Sequence, residues 1–114
     1  MQGEFQVQVR REGQTELIAV RGELDLASGP QLESELDKVT TGATTRVVVD
    51  LRELEFMDST GLSIIVRAHQ RLAEAGCELS LVKGSPQVQR LLDLTGVTER
   101  VTLVSAPEEL FNGH

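Results

Sequence analysis

The chain has 114 residues, a usual length for one domain, and its 39% apolar and 25% charged residues are typical of a globular protein. Its formal net charge of −7 would repel the phosphate backbone of nucleic acid, and no apolar stretch has the length of a membrane span or the form of a signal peptide. A single cysteine excludes an internal disulfide and no zinc-binding spacing occurs, so we expect one domain over residues 1–114 of a cytoplasmic protein.

The N-terminal third of the chain predicts a hairpin followed by a helix. Apolar and polar residues alternate over residues 5–9 and, more loosely, over residues 17–21, which predicts two antiparallel strands joined by a turn at residues 12–14. A helix is predicted over about residues 29–40, with Ser28 as its N-cap.

The middle of the chain predicts the central strand and the longest helix. Residues 47–51 are rich in β-branched side chains, which is typical of a strand covered on both faces. Apolar positions recur at helical spacing over residues 61–75, and Gly76 would end that helix. The apolar positions are Leu62, Ile65, Val66, His69, Leu72 and Ala73, and the positions predicted to face water are Ser63, Arg67, Gln70, Arg71 and Glu74.

The C-terminal third adds two strands and two helices. Residues 78–82 alternate as a strand, and residues 85–96 predict a helix that opens with serine and proline and ends at glycine. A last strand over residues 101–104 precedes a short helix that ends near residue 111.

The order of these elements, ββαβαβαβα, predicts an α/β fold. We expect a mostly parallel, mixed β-sheet of about five strands with about four helices, its first strand joining antiparallel through the hairpin. Binding sites in such sheets form at the carboxyl ends of the strands. Two connections lie there, at residues 22–28 and 52–61.

The second of these connections combines apolar and polar residues. Leu54, Phe56 and Met57 stand directly before Asp58 and Ser59. Either the apolar side chains pack beneath the following helix while Asp58 or Ser59 caps it, or they form a surface for another protein. Ser59 would meet the positive end of the helix dipole, where the fold tolerates a phosphate and where the added charge would eject a bound partner.

Enzymatic interpretations of this segment lack the residues they need. The sequence contains neither a G-x-S-x-G elbow nor a Walker loop. His69 is predicted to lie in the core and His114 is terminal, so no base is available for Ser59. Asp50 could bind a metal but is more typical of a carboxylate that satisfies a loop, and Cys77 is typical of a small buried residue. We therefore expect no enzymatic activity.

Five segments together resemble the STAS domain of anti-sigma factor antagonists, the bacterial partner-switching family. They are residues 21–25 (RGELD), 47–51 (VVVDL), 56–62 (FMDSTGL), 84–92 and 94–97. The segments follow the family's order over almost the whole chain, and residues 56–62 are the most specific of them.

The resemblance implies a STAS fold and a cycle of protein contacts. In this family the unphosphorylated antagonist binds an anti-sigma factor, a serine kinase of the GHKL type, and so frees a sigma factor. The kinase phosphorylates the serine after the motif's aspartate, and a PP2C-type phosphatase removes the phosphate. By position that serine is Ser59. Thr60 is either a secondary acceptor or the N1 residue of the helix.

The same resemblance implies a partner-binding surface around this serine. Asp25 would lie near it, and the exposed side of the helix over residues 59–71 would complete the surface. The expected partner-binding residues are Asp25, Leu54, Phe56, Met57, Asp58, Ser59, Thr60, Gly61, Ser63 and Arg67.

Two other functions stay open at this point. A STAS subunit of a lipid-transport complex or of a stressosome-like scaffold would use the same surface to hold a partner permanently. A module that binds a small molecule or a nucleotide would need a pocket with convergent polar groups.

Overall fold

The computed structural model describes residues 4–39 and 43–111, and within them the elements follow the predicted order. The α/β fold class is confirmed. The elements are β1 (Gln6–Glu12), β2 (Thr15–Leu24), α1 (Gly29–Asp37), β3 (Arg46–Met57), α2 (Ser59–Glu74), β4 (Glu78–Val82), α3 (Pro86–Thr95), a 3-10 helix (Val97–Glu99), β5 (Thr102–Val104) and α4 (Glu108–Phe111).

The strands form one sheet in the order β1-β2-β3-β4-β5, with β3 at its centre. β1 is antiparallel to β2, and the other neighbouring pairs are parallel. Gly13, at φ +61°, supplies the left-handed conformation in the tight turn between β1 and β2. The predicted hairpin and the predicted central strand are both confirmed.

β2 and β3 are longer than predicted, so both predicted connections, at residues 22–28 and 52–61, are too long. β3 continues to Met57, which pairs with Leu24 at the end of β2. The connections therefore shrink to residues 25–28 and to Asp58 alone. The reason is that each strand supplies the backbone hydrogen-bonding partner that the other needs, through two shifts of register along the pair.

α3 packs against the part of β3 that has no neighbouring strand on that side. β4 accompanies β3 only as far as Asp50, and Phe56 and Met57, which lie beyond this point, face α3. The Ser85 hydroxyl accepts a hydrogen bond from the backbone N–H of Val88 (3.3 Å), and Gly96 at φ +78° ends the helix. Both ends of this helix were predicted from the sequence.

The main core lies between the helices and one face of the sheet. A smaller cluster of Leu17, Val48 and Val82 lies on the other face, as the alternation along the strands requires. Cys77 is buried, as predicted. None of the described helices is long and apolar enough to span a bilayer. The largest fully buried side chains include Ile18, Leu24, Leu32, Leu36, Leu51, Leu54, Ile65, Leu72, Leu81 and Leu92.

α2 has a wider buried face than its sequence pattern predicts. Ile64 and Ala68 are buried in addition to the predicted positions, because α1 packs along this side of the helix. A Cβ atom on Gly29 would lie 2.7 Å from Ile64 Cδ1, so the two helices touch closely. Ala73 is exposed, contrary to the prediction. The residues predicted to face water are all exposed.

Candidate functional site

Asp58 is the N-cap of α2. Its Oδ1 accepts hydrogen bonds from the backbone N–H groups of Thr60 (2.9 Å) and Gly61 (3.2 Å). Its own backbone N–H donates to the carbonyl oxygen of Leu24 at 3.2 Å. The sequence left open whether Asp58 or Ser59 caps the helix, and in the structure Asp58 is the cap. Ser59 occupies N1, which places Thr60 at N2 rather than at N1.

A second polar turn, residues 25–28, lies beside this helix start. Asp25 Oδ1 accepts from the backbone N–H groups of Ala27 (3.0 Å) and Ser28 (3.1 Å). The Ser28 hydroxyl accepts from the Asp25 N–H (2.9 Å) and donates to the carbonyl oxygen of Glu23 (2.7 Å). Ser28 thus braces the turn, and the prediction that its side chain caps α1 is wrong.

The two turns meet because β2 and β3 end together. Leu24 and Met57 are register partners at the ends of these strands. A Cβ atom on Gly61 would lie 2.7 Å from Leu24 Cγ and 2.9 Å from Met57 Cγ, so the first turn of α2 sits directly on both strand ends. Asp25 and Ser59 consequently occupy the same edge of the sheet.

The predicted partner-binding residues divide into surface and core. Phe56 is 46% exposed although it is a large apolar side chain. Ser59 is also exposed. The exposed members of the set are Phe56, Ser59, Ser63 and Arg67, and the half-buried members are Asp25, Asp58 and Thr60.

Three members of the predicted set belong to the core. Leu54 is 1% exposed, so its place on a contact surface is wrong. Met57 is 6% exposed and Gly61 is buried, so both serve mainly in packing. The register between β2 and β3 shifts at Glu55, which has no partner on β2. This shift breaks the alternation and turns Phe56 outward while Leu54 and Met57 point inward.

Charged side chains on the exposed side of α2 form ion pairs with α1, which lies beside it. Arg67 Nη2 lies 3.1 Å from Glu33 Oε2 on α1. Arg71 donates to the carbonyl oxygen of Leu36 (2.9 Å) and lies 3.5 Å from Asp37 Oδ1. Leu36 is in the last turn of α1, and its carbonyl oxygen also accepts from the Val39 N–H at 3.3 Å, so Arg71 adds a side-chain donor at that helix end.

Sequence reasoning missed one exposed residue in the turn over residues 25–28. Leu26 is 76% exposed although it is apolar. The sequence feature that could have identified Leu26 is an apolar residue inside a polar turn, and the same feature identified Phe56.

Sequence reasoning also missed a groove of about 510 Å³ between the end of β3 and α3. Leu94 lies on its rim and is 77% exposed. The groove is lined by Phe56, Met57, Pro86, Gln87, Arg90, Leu91 and Leu94.

Asp50 and Cys77, the other candidates from the sequence, have roles within the fold. Asp50 is buried and accepts hydrogen bonds from Arg52 Nη2 (2.8 Å) and from the Arg52 backbone N–H (3.1 Å). The hydrogen bond to Asp50 is the largest cause of a raised pKa for Arg52, and burial raises the pKa of the Cys77 thiol. Within residues 4–39 and 43–111, no group of three or more His, Cys, Asp or Glu side chains is placed to hold a metal ion.

His69 cannot reach Ser59. The two residues stand ten positions apart in α2, which corresponds to about 15 Å along the helix axis. His69 is half-buried, and its Nδ1 has no hydrogen-bonding partner among the described residues. His114, the other histidine, lies outside the described residues.

Comparison with known proteins agrees with this fold. The anti-sigma factor antagonist from Mycobacterium paratuberculosis superposes with a TM-score of 0.87 at 23% identity, covering 97% of this chain and 94% of that chain. SpoIIAA, an anti-sigma factor antagonist, superposes in its unphosphorylated form with a TM-score of 0.80 at 22% identity, covering 94% of each chain. Its phosphorylated form gives 0.75 at 22% identity, covering 94% of this chain and 97% of that chain.

Sequence comparison extends the likeness beyond the fold. The anti-sigma-B factor antagonist of Listeria monocytogenes serovar 1/2a is 33% identical over 99 residues, which cover 85% of this chain and 84% of the relative. The family model of the STAS domain matches residues 6–110. On these grounds the chain belongs to the STAS domain family.

Proposed function

We propose that this protein is an anti-sigma factor antagonist whose binding is switched off by phosphorylation of Ser59. In this proposal the unphosphorylated protein binds an anti-sigma factor that is itself a GHKL-type serine kinase, and the sigma factor is released. A PP2C-type phosphatase restores the binding form. The ATP belongs to the kinase, so the antagonist, a cytoplasmic protein, needs no cofactor. The observation that carries the switch is an exposed serine at N1 of α2.

The helix start explains how a phosphate could change binding without unfolding the protein. N1 of a helix faces the positive end of the helix dipole, where an anion is favourable. A phosphate adds about 1.5 to 2 negative charges at pH 7, next to the Asp58 carboxylate. The fold would therefore persist, while a partner that covers this turn would face a buried dianion. Each 1.4 kcal/mol that is lost weakens binding about tenfold, so one such charge suffices.

The contact surface that we propose follows the exposed residues at this edge of the sheet. It contains the turn over residues 25–28, Ser59 and the exposed side of α2. Leu26 would supply an apolar anchor, since it is 76% exposed beside Asp25. Exposed apolar surface with polar groups around it is typical of a protein interface.

Phosphorylation is tested by incubating the protein with ATP and the candidate anti-sigma kinase of the same organism. Mass spectrometry then locates any added phosphate in the wild type and in the Ser59→Ala and Thr60→Ala variants. We expect phosphate on Ser59, its loss in Ser59→Ala, and full labelling of Thr60→Ala. Full labelling of Ser59→Ala would refute Ser59 as the acceptor.

Release of the partner is tested by calorimetry with the same kinase. Ser59→Asp should weaken binding at least about tenfold, and Ser59→Ala should bind as the wild type does. Ser34→Asp is the matched control, because Ser34 is exposed on α1 and receives the same charge. Equal affinities of wild type and Ser59→Asp would count against the switch. Tight binding without any phosphate transfer would indicate a constitutive antagonist, and no binding at all would favour the STAS subunit of a permanent complex.

A further inference from the structure

The groove between β3 and α3, which we call the Phe56–Leu94 groove, has a continuous lining on its helical side. Residues 87, 90, 91 and 94 of α3 recur at the spacing that places side chains on one helix face. Phe56 and Met57 form the opposite wall at the end of β3. One wall of the groove is thus a helix face and the other is the end of a strand.

The rims of this groove expose unusually large apolar groups. Phe56 is 46% exposed and Leu94 is 77% exposed, and both stand in regular secondary structure rather than in a loop. Exposed apolar side chains that gather around a groove are typical of protein-binding surfaces. The other α3 side chains that face the core, Val88 and Leu92, are buried, so Leu94 has no packing role in the described structure.

Arg90 is the one charged side chain among the residues that line the groove. Most arginines of the described residues form an ion pair with a carboxylate, whereas Arg90 and Arg100 form none with a described residue. The paired arginines are Arg10, Arg11, Arg21, Arg46, Arg52, Arg67 and Arg71. In a chain of net charge −7, a guanidinium that lines an apolar groove and has no carboxylate partner among the described residues is complementary to a carboxylate from another protein.

The groove is continuous with the surface around Ser59. Met57 lines the groove, and its Cγ would lie 2.9 Å from a Cβ atom on Gly61 in the first turn of α2. A partner that covers Ser59 would therefore reach the groove without leaving the edge of the sheet.

We infer that the Phe56–Leu94 groove binds a segment of the anti-sigma factor that presents apolar side chains together with one aspartate or glutamate. The inference rests on the proposed function, since it names a contact of the same partner. The apolar side chains of that segment pack between Phe56 and Leu94, and its carboxylate pairs with Arg90. This contact lies apart from the serine, so it adds affinity and selects the partner in the unphosphorylated state.

The first test measures binding of the candidate anti-sigma factor by calorimetry. Arg90→Glu should weaken binding about tenfold or more, because it replaces an attraction by a repulsion. Arg100→Glu is the matched control, because it makes the same change of charge outside the groove. Arg100 follows the 3-10 helix at the amino end of β5, whereas the groove lies at the carboxyl end of β3. This variant should change the affinity less than about twofold.

A second variant tests the apolar part of the contact. Leu94→Ser should weaken binding about tenfold, because it removes an apolar side chain that the partner would bury. The melting temperatures of all variants, measured by circular dichroism, should stay within about 2 °C of that of the wild type, since Arg90, Leu94 and Arg100 are exposed. Restored affinity between Arg90→Glu and a partner variant with one acidic residue changed to arginine would identify the paired carboxylate.

The outcomes separate the groove from the phosphorylation switch. If Ser59→Asp abolishes binding while Arg90→Glu and Leu94→Ser bind as the wild type does, the groove proposal is overturned and the switch stands. If the groove variants bind weakly while Ser59→Asp binds normally, the groove is supported and the switch is refuted. An anti-sigma factor that does not bind the wild type at all overturns both.

Discussion

Replacing Gly61 with alanine sets two opposing effects against each other in the first turn of α2. Alanine favours the helix over glycine by about 1 kcal/mol. The new Cβ atom, however, would lie 2.7 Å from Leu24 Cγ, 2.8 Å from Leu24 Cδ2 and 2.9 Å from Met57 Cγ. Leu24 is 0% exposed and Met57 is 6% exposed, so neither side chain can turn away without disturbing its neighbours. Overpacking of this kind costs about 1–3 kcal/mol.

We expect the cost of the steric overlap to exceed the gain in helix propensity, because both contacting Cγ atoms lie close to the backbone. The free energy of unfolding should fall by about 1 kcal/mol, with a decrease of about 4 °C in Tm. Urea unfolding followed by far-ultraviolet circular dichroism measures the change, because the chain has no tryptophan or tyrosine to serve as a fluorescent probe. Ser63→Ala is the matched control, since Ser63 is exposed in the same helix. It should stabilise the protein by a few tenths of a kcal/mol.

A Gly61→Ala variant as stable as Ser63→Ala would refute the close seating of α2 on the strand ends. It would also return Gly61 to the list of residues whose importance lies in partner contact. The expected loss, by contrast, would explain the glycine in the Asp-Ser-Thr-Gly segment by packing alone.

Two further predictions concern the helix cap and the edge of the sheet. Asp58→Ala should lower the free energy of unfolding by about 1 kcal/mol, whereas Asp58→Asn, which keeps an acceptor oxygen, should lower it by less; equal losses in urea unfolding would contradict the cap. A hydrogen bond from Thr102, and a weaker effect of Arg46, hold the pKa of Glu78 below its usual value near 4.5. The folded state therefore favours the carboxylate, so this stabilisation is present above about pH 4.5 and is lost as the pH falls through the folded pKa. Thermal unfolding should show Thr102→Val less stable than wild type at neutral pH, with the gap closing in acid; a gap independent of pH would exclude this source of stability.

The element order could be predicted because the signals that set it are local. Gly76, at φ +80°, ends α2 where the sequence places its stop, and Gly96 ends α3 in the same way. The β-branched run over residues 47–51 identified the central strand because burial on both faces leaves no polar alternation. Each of these signals acts within a few residues, so no knowledge of the neighbouring elements was needed.

The lengths of β2 and β3 could not be predicted because each depends on the other. Gly22 at φ +94° and the acidic residues Glu53 and Glu55 are typical of a connection rather than of a strand. In the structure these residues extend a parallel pair whose register shifts twice. Only the presence of both strands provides the hydrogen bonds that keep either one extended.

Which of the apolar residues before Asp58 are buried could not be predicted from the sequence either. Strict alternation would place Leu54 and Phe56 on the same face of the sheet. The shift at Glu55 separates them, so that Leu54 and Met57 enter the core and Phe56 remains at the surface. The first alternative left open by the sequence is therefore confirmed for Leu54 and Met57, which are buried, whereas Phe56 is exposed and its contact with a partner stays a prediction.

This irregularity in β3 has a consequence for how the site can be altered. The inward Met57 supports the first turn of α2, and the outward Phe56 forms the rim of the groove, although the two are neighbours in sequence. Substitutions at Met57 or Gly61 change the packing on which the position of Ser59 depends, so a loss of binding there would not separate folding from recognition. Substitutions at exposed Phe56 or Leu94 leave that packing in place, and a loss of binding in those variants reports contact with the partner alone.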